Sequence, residues 1–248
     1  MVRLLKYESL GNDFLVLLDP SGGQPVDGAT ARALCHRRRG VGADGLIRAT
    51  TPGPPGPDLA MELYNADGSR AEISGNGLRC LARAAVDAGL HPGPELVIGT
   101  DAGKRRAVVA AGGVRVDMGP ADVAVTGGPH GTAVDLGNPH LVIRLADPGG
   151  ADLAGLAAPH PEVNVHVYAP GPEPDAVTMR TWERGVGETE ACGSGACAVA
   201  LTAHRGGLAG PTVTVHHAGG DAVVELRRAR ITLSGPVEGV AAVEVPWP

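Results

Sequence analysis

The chain has 248 residues, which suits one large domain or two modest ones. Hydrophobic residues make up 43% and aromatic residues only 2%, so the core must be built from Val, Leu, Ile and Ala. The net charge of −6 leaves no basic excess for a nucleic-acid backbone, and no run of about 18 uncharged apolar residues can form a membrane span. The N-terminal segment MVRLLKYESLGNDF lacks the features of a signal peptide, so we expect a soluble, cytoplasmic protein.

Short strands and a few helices are predicted along the chain. Gly-Asn and Gly-Gly pairs indicate turns between apolar runs, and small residues after Gly-x-Gly indicate helices. In chain order we predict a turn and strand (9–18), a helix (29–38) running into the basic cluster 37–39, an exposed Pro/Gly loop (51–57), a helix (77–90), a hairpin (107–118), a turn and strand (135–144), a loop (169–175), a helix (194–208) and a hairpin (211–228). The basic cluster is interpreted as a solvated helix end.

The chain repeats itself. AEISGNGLRCLA (71–82) superposes on TEACGSGACAVA (189–200) with an offset of 118, which places Ser74 over Cys192. SLGNDFLVLL (9–18) likewise matches DLGNPHLVIR (135–144). Two copies are too few for a solenoid, so we predict two similar lobes.

The repeat also suggests domain boundaries. We expect an N-terminal lobe over 1–118, joined by the last strand at about 237–248, and a C-terminal lobe over 119–236.

The repeated Gly-x-Gly turn has a chemical meaning at a helix start. Unpaired N–H groups and a partial positive charge there can hold a carboxylate, and the same field favours a thiolate, so we expect a lowered pKa for Cys192. Two such groups on opposite sides of a carbon would allow one to remove a proton while the other delivers one. The alternative is that Gly, Ala, Ser and Cys only permit close helix packing.

Several motifs in family order resemble the diaminopimelate epimerase family. They are SLGNDF, RGVGADGLI, YNADGSRAEISGNGLRC, LGNPH, EVNV, ERGVGETEACGSGACA and SGPVEGV, which together run from residue 9 to about 239. The resemblance implies an α+β fold of two lobes, each a curved, mostly antiparallel sheet around a central helix, with the site in the cleft between them. It further implies an epimerase that needs no pyridoxal phosphate or other cofactor and no metal, that acts on an amino acid as its small-molecule substrate and that forms a homodimer.

The resemblance also implies roles for individual residues. It makes Cys192 a catalytic thiol, and it places Glu183 at the reacting amine. The distal amino-acid group would be held by Asn12, Asn65, Asn138, Asn164 and Arg184, and the carboxylate by the N–H groups of Gly75, Asn76, Gly193 and Ser194. Arginine can hold a carboxylate through two hydrogen bonds, and asparagine amides match both an ammonium and a carboxylate. Cys80 and Cys197 are interpreted as core thiols, and His140 as a neighbour of the site.

Ser74 departs from the family, whose second catalytic cysteine belongs at this position. A hydroxyl is far less acidic than a thiol and needs a partner to act as a base. One explanation is a disabling Cys-to-Ser substitution in an ordinary epimerase. The other is a native serine in a specialised relative that acts on another amino acid as an epimerase, isomerase or dehydratase. Glu8 and Gly45 also depart from the common family pattern near the expected site.

The leading hypothesis is therefore interconversion of LL- and meso-diaminopimelate, which serves lysine and cell-wall synthesis. Three alternatives remain. An isomerase of the phenazine-biosynthesis type would use a carboxylate and lack the full ACGSG motif around Cys192. A non-catalytic amino-acid-binding relative would explain Ser74 as lost chemistry. A redox protein would need a disulfide between Cys192 and Cys197, for which one helix offers poor geometry.

Overall fold

The computed structural model describes residues 1–227 and 229–247. It contains two compact units. The first comprises Met1–Val116 with Pro236–Pro248, and the second comprises Asp117–Gly235.

The first unit is built from nine strands and two helices. Their bounds are β1 (Val2–Ser9), β2 (Asn12–Leu18), α1 (Gly28–Cys35), β3 (Gly45–Thr50), β4 (Leu59–Asn65), β5 (Arg70–Ala71), α2 (Gly75–Asp87), β6 (Glu95–Thr100), β7 (Gly103–Ala110), β8 (Gly113–Pro120), which runs on into the second unit, and the C-terminal strand β18 (Glu238–Val245). Strand β18 pairs with β1, β1 with β2, β3 with β4 and β4 with β5 in antiparallel fashion, whereas β2–β3 and β4–β6 are parallel. Strands β6, β7 and β8 form an antiparallel meander.

The second unit repeats this order. Its elements are β9 (Val125–Gly128), β10 (Gly131–Asp135), β11 (Pro139–Arg144), α3 (Leu153–Ala157), β12 (Asn164–Pro170), β13 (Ala176–Glu183), β14 (Gly187–Thr189), α4 (Gly193–Arg205), β15 (Thr212–His217), β16 (Gly220–Arg227) and β17 (Arg230–Gly235). The pairing is the same as in the first unit, including the parallel pairs β11–β12 and β13–β15. The predicted duplication therefore extends through the whole topology, with β18 of the first unit equivalent to β9 of the second.

Strand register makes the equivalence exact enough to compare single positions. In the first unit Val16 pairs with Ile47, and Ile47 pairs with Leu63. In the second unit the same three places are held by Val142, His166 and Thr181. The two units thus share a backbone plan but differ in polarity at these positions.

Each long helix is the centre of its unit. Helix α2 contacts β1, β2, β3, β6 and β7, and α4 contacts β10–β13 and β15–β17. Ten residues of each helix are buried. Small side chains such as Ala82 and Ala200 let strands approach these helices closely. The predicted fold class, two similar α+β lobes with mostly antiparallel sheets around a central helix, is confirmed.

Helix ends differ slightly from the sequence prediction. Helices α2 and α4 begin earlier than predicted, at Gly75 and Gly193, and end at Asp87 and Arg205. The expected glycine stops follow, because Gly89 and Gly207 adopt positive φ and the next leucine N–H bonds back to the last turn. Helix α1 ends at Cys35, so the cluster 37–39 lies in the turn after it rather than at its end.

Candidate functional site

Cys192 caps the N-terminus of α4. Its backbone is extended (φ −130°, ψ 113°), and its Sγ accepts a hydrogen bond of 3.4 Å from the Gly195 N–H. The Ser194 Oγ lies 3.7 Å from the same sulfur. The thiol is therefore placed at the N–H groups of a helix start, where an anion is stabilised.

Ser74 occupies the same place on α2. Its backbone is also extended (φ −136°, ψ 125°), and its Oγ accepts a hydrogen bond of 3.0 Å from the Gly77 N–H. Gly75 and Gly193 are the first residues of the two helices, and both are buried. The two cap side chains therefore sit in the same backbone setting and differ in the capping atom, an oxygen in α2 and a sulfur in α4.

The expected lowered pKa of Cys192 is wrong for this structure. Burial is the largest effect and raises the pKa of the thiol well above its ordinary value, and the negative charge of Glu183 raises it further. The Gly195 N–H and the Ser194 hydroxyl act in the opposite direction. The helix start stabilises the thiolate as predicted, but sequence reasoning did not include the cost of burying it.

The asparagine of each LGN turn is bound to the start of its central helix. In the first unit the Asn76 Nδ2 donates to the Asn12 Oδ1 at 3.2 Å. In the second unit the Asn138 Nδ2 donates to the Ser194 Oγ at 3.2 Å. The structure therefore brings these four predicted residues together in two equivalent pairs.

An ion-pair network orients Asn12. Its Nδ2 donates to Asp44 at 2.8 Å, and Asp44 in turn accepts from Arg37 at 2.7 Å. Arg37 also binds Asp13 through two hydrogen bonds of 2.8 and 3.1 Å, and Lys6 reaches the same carboxylate at 2.8 Å. With its Nδ2 held by Asp44, the amide of Asn12 turns its oxygen toward Asn76.

Asn138 is held by a chain of buried polar groups. Its Oδ1 lies 2.9 Å from the His140 Nε2, and the His140 Nδ1 lies 2.9 Å from the His166 Nε2. The His166 Nδ1 is 2.8 Å from the Thr181 Oγ1. Burial lowers the pKa of both histidines, that of His140 to about 3 with a smaller contribution from Arg184, so both rings are neutral at neutral pH.

The remaining predicted residues lie at strand ends. Asn65 ends β4 and donates to the Ser69 Oγ at 3.0 Å. Its equivalent in the second unit is Glu183, which ends β13 and accepts from the Thr189 Oγ1 at 2.7 Å.

Asn164 and Arg184 meet through the backbone. The Asn164 Oδ1 accepts from the Arg184 N–H at 2.9 Å, and its Nδ2 donates to the Pro139 carbonyl at 3.4 Å. Arg184 also lines a cavity of about 280 Å³ together with Trp182 and His160.

Sequence comparisons with known proteins agree on one family. The diaminopimelate epimerase family model matches residues 4–124 and 132–238. The chain belongs to the diaminopimelate epimerase family. It is 40% identical over 273 residues to a diaminopimelate epimerase of Mycolicibacterium vanbaalenii, covering 95% of this chain and 94% of that protein. It is 38% identical to one of Moorella thermoacetica, covering 90% and 91%.

Solved structures show the same fold at low identity. A phenazine biosynthesis protein of the PhzF family from Enterococcus faecalis matches with a TM-score of 0.75 and 15% identity, covering 99% of both chains. At this identity the likeness concerns the fold alone. A diaminopimelate epimerase family member thus shares its architecture with proteins of other chemistry, and function must be argued from the site.

Sequence reasoning missed several polar residues of this family member. Asp44 holds the Asn12 amide, and Arg37 in turn binds Asp44 and Asp13. The basic cluster 37–39 is exposed, as predicted, but Arg37 also forms these ion pairs. The signal for Asp44 was its place in the RGVGADGLI motif. His166 and Thr181 had no sequence signal of their own, because their contacts depend on strand register.

Other potential chemistry is limited within the described residues. No group of three or more His, Cys, Asp or Glu side chains there is arranged to hold a metal ion. Cys35, Cys80, Cys192 and Cys197 are all free thiols and all buried, and the burial of Cys80 and Cys197 agrees with their interpretation as core thiols. No helix in the described parts of the chain is both long and apolar enough to span a membrane.

Proposed function

We propose that this epimerase interconverts LL- and meso-diaminopimelate by proton transfer at the α-carbon, with the Cys192 thiol as one acid–base group and residue 74 as the other. The observation that carries the proposal is the duplicated helix start, which places the side chains of residues 74 and 192 in the same backbone setting. The names of the relatives support the substrate. Removal of one proton and delivery of another is what inversion of a stereocentre requires.

Polar groups around the helix starts suit the two ends of this substrate. We assign the reacting carboxylate to the N–H groups of Gly75, Asn76, Gly193 and Ser194, because helix starts bind anions. We assign the reacting amine to Glu183 and the distal amino-acid group to Asn12, Asn65, Asn138, Asn164 and Arg184. A polar set of this kind would discriminate against substrates that lack the distal group, because such substrates cannot form the same hydrogen bonds.

Ser74 makes the present chain a poor catalyst in this proposal. Its hydroxyl lies in the same position as a thiol would, but it is a much weaker acid. We therefore propose a Cys-to-Ser disabled form of the enzyme, which binds the substrate but turns it over slowly or not at all.

One observation favours the alternative of a native serine and a different amino acid. Gly45 is the strand-register equivalent of Asn164 and offers no amide. A Cβ at residue 45 would lie 2.9 Å from the Tyr64 carbonyl oxygen and 3.1 Å from the Phe14 ring, so the position is built without a side chain. A smaller or differently charged distal group would need fewer polar partners here.

We further propose a cytoplasmic homodimer that works without pyridoxal phosphate. Support for self-association comes from β18, where Val240 is 55% exposed beside Gly239, Ala241 and Ala242. Light scattering on the chain and on Val240→Glu tests it, since a dimer built on β18 should become a monomer. A dimer that survives the substitution would contradict this placement.

The experiment that tests the activity compares four proteins with LL-diaminopimelate: the present chain, Ser74→Cys, Ser74→Ala and the double variant Ser74→Cys/Cys192→Ser. Chiral chromatography follows formation of the meso isomer. We expect turnover in Ser74→Cys, at least a hundredfold less in the present chain and in Ser74→Ala, and none in the double variant. No turnover by Ser74→Cys, with the protein folded, would contradict the substrate assignment.

A further inference from the structure

Six buried polar residues form a continuous row in the second unit, ending at the thiol. In order they are Thr181, His166, His140, Asn138, Ser194 and Cys192. Successive heavy atoms in the first four contacts are 2.8 to 3.2 Å apart. The last contact, from oxygen to sulfur, is 3.7 Å. We call this row the relay.

Donor and acceptor roles in the relay follow from the orientation of one amide. The Asn138 Nδ2 faces Ser194, so its Oδ1 faces His140 and can only accept. The His140 Nε2 must therefore carry a proton. Because a neutral imidazole has one donor and one acceptor, the His140 Nδ1 accepts, and the proton in that contact belongs to the His166 Nε2.

The same logic reaches the far end of the relay. With its proton on Nε2, the neutral ring of His166 accepts at Nδ1, and Thr181 donates its hydroxyl proton there. At the near end Ser194 accepts from Asn138, which leaves its own hydroxyl proton available for the Cys192 sulfur 3.7 Å away. All donors thus point from Thr181 toward the thiol. In the opposite order the His166 Nδ1 would carry a proton, and the Thr181 hydroxyl would then have no acceptor on that ring.

The first unit has no such relay in the equivalent positions. Phe14, Ile47 and Leu63 occupy the places of His140, His166 and Thr181, and all three are buried and apolar. The two units therefore differ in polarity at these positions, and the polar residues belong to the unit that carries the Cys192 thiol.

A second contact joins His166 to the helix start. Its ring lies against the Cα of Gly195 so closely that a Cβ there would overlap the ring. Gly195 is the residue whose N–H donates to the Cys192 sulfur. His166 is therefore fixed on one side by Thr181 and on the other by the helix that carries the thiol.

We propose that His166 and Thr181 are positioning residues for the reaction at Cys192: they hold His140 with its proton on Nε2, which fixes the Asn138 amide and leaves the Ser194 hydroxyl proton directed at the sulfur. A hydrogen bond to sulfur stabilises the thiolate over the thiol. The inference rests on the proposed function only in taking Cys192 as the reacting group.

Charged and titratable neighbours must be kept constant in a test. In addition to the effect of burial, the pKa of Cys192 is raised by Glu183, that of His140 is lowered by Arg184, and that of His166 is lowered by His140 and His217. The variants below leave the charged neighbours unchanged.

The first readout needs no substrate and no mutation of the relay itself. Nitrogen-15 NMR of the histidine rings distinguishes a protonated from a bare ring nitrogen. We expect both His140 and His166 to be neutral at pH 7, each with its proton on Nε2. A proton on Nδ1 of either ring, or a charged ring, would overturn the proposal.

The second readout is the rate of Cys192 alkylation against pH, with the modified cysteine located by tandem mass spectrometry. Thr181→Val keeps the side-chain shape but removes the donor, and we expect alkylation at neutral pH to slow by about threefold to tenfold, the effect of one net hydrogen bond. Thr181→Ser should restore the rate. Thr202→Val is the matched control, because it loses a hydroxyl bonded to the Ala198 carbonyl in α4, outside the relay, and should leave the rate unchanged.

The outcomes separate this inference from the proposed function. An unchanged rate in Thr181→Val, or equal slowing in Thr202→Val, would overturn the positioning role even if Ser74→Cys epimerises diaminopimelate. Conversely, the expected ring protons and alkylation rates together with no epimerisation would contradict the proposed function and leave the relay intact.

Discussion

At the scale of single residues, the comparison of Ser74 with Cys192 isolates what a thiol contributes. Both cap a 13-residue helix with an extended backbone, and both accept the N–H of the residue three places on. A hydroxyl in this setting serves well as a helix cap. A thiol is far more acidic than a hydroxyl, so Cys192 is the stronger acid of the two groups even though burial raises its pKa.

The first prediction concerns the pH dependence of that thiol. Because burial and Glu183 raise the pKa of Cys192, its thiolate, and hence its alkylation rate, should keep rising with pH beyond the range of an ordinary cysteine. Glu183→Gln should move the profile to lower pH, since it removes a negative charge beside the sulfur. Rates measured between pH 6 and 10 provide the check. A profile that levels off below the ordinary thiol pKa would contradict the electrostatics described here.

Residue identity alone could not have predicted this balance. The motif ACGSG indicated a helix start and therefore a stabilised thiolate, and both features are present. How deeply the sulfur is buried depends on strands far away in sequence, such as β11 and β12, which pack on α4. The direction of the pKa shift of Cys192 could therefore not be predicted from the local sequence.

At the scale of elements, each central helix lies against its sheet through a glycine one turn into the helix. Gly77 faces Ile47 and Met61, whose nearest atoms would be 3.3 Å from an added Cβ. Gly195 faces the ring of His166, which an added Cβ would overlap. A methyl group at Gly195 would therefore displace its neighbours more than a methyl group at Gly77.

The second prediction follows from this difference. Gly195→Ala should destabilise the protein by about 2–3 kcal/mol, because the buried His166 ring is fixed by hydrogen bonds and cannot move aside. Gly77→Ala should cost about 1 kcal/mol or less, because the aliphatic ends of Ile47 and Met61 can shift by a few tenths of an ångström. Urea unfolding of both variants measures the two costs. Equal costs would show that His166 is not held as tightly as its contacts indicate.

Elements also show what sequence could and could not supply. The repeated motifs at offset 118 predicted both central helices, and the Gly-Asn turns predicted the strands that follow. Pairing between strands about 20 residues apart, as between His166 of β12 and Val142 of β11, leaves no local pattern. The relay and the Asp44 network likewise consist of side-chain contacts between residues far apart in sequence, such as Asn12 with Asp44 and His140 with His166, and local sequence patterns do not reveal such contacts.

At the scale of the whole molecule, buried titratable groups set how stability depends on pH. His140 and His166 are neutral in the folded protein because burial lowers the pKa of both, that of His140 to about 3. In the unfolded chain each returns to an ordinary value near 6.5. Their contribution to stability is therefore fully present above about pH 6.5 and is lost as the pH falls, since the unfolded state then binds protons that the folded state does not.

The third prediction puts a magnitude on this loss. Between pH 7 and pH 5 each of the two histidines should reduce the free energy of unfolding by about 2 kcal/mol. His216 acts in the opposite direction, because Asp221 and Glu173 raise its pKa, so the total change is not a clean measure. The difference between the chain and His166→Gln, measured by chemical unfolding at both pH values, isolates one histidine. A pH dependence identical in the two proteins would contradict a neutral, buried His166.

The central proposal is that each of the two equivalent helix starts supplies one acid–base group, at residues 74 and 192, and that Ser74 leaves this chain with only one effective group. The most direct measurement is α-deuterium incorporation by NMR, with LL- and meso-diaminopimelate incubated separately in D2O with the present chain and with Ser74→Cys. We expect Ser74→Cys to exchange and invert both isomers, and the present chain to exchange the α-hydrogen of at most one isomer without inverting it. Inversion of either isomer by the serine protein at a rate comparable to Ser74→Cys would contradict the account.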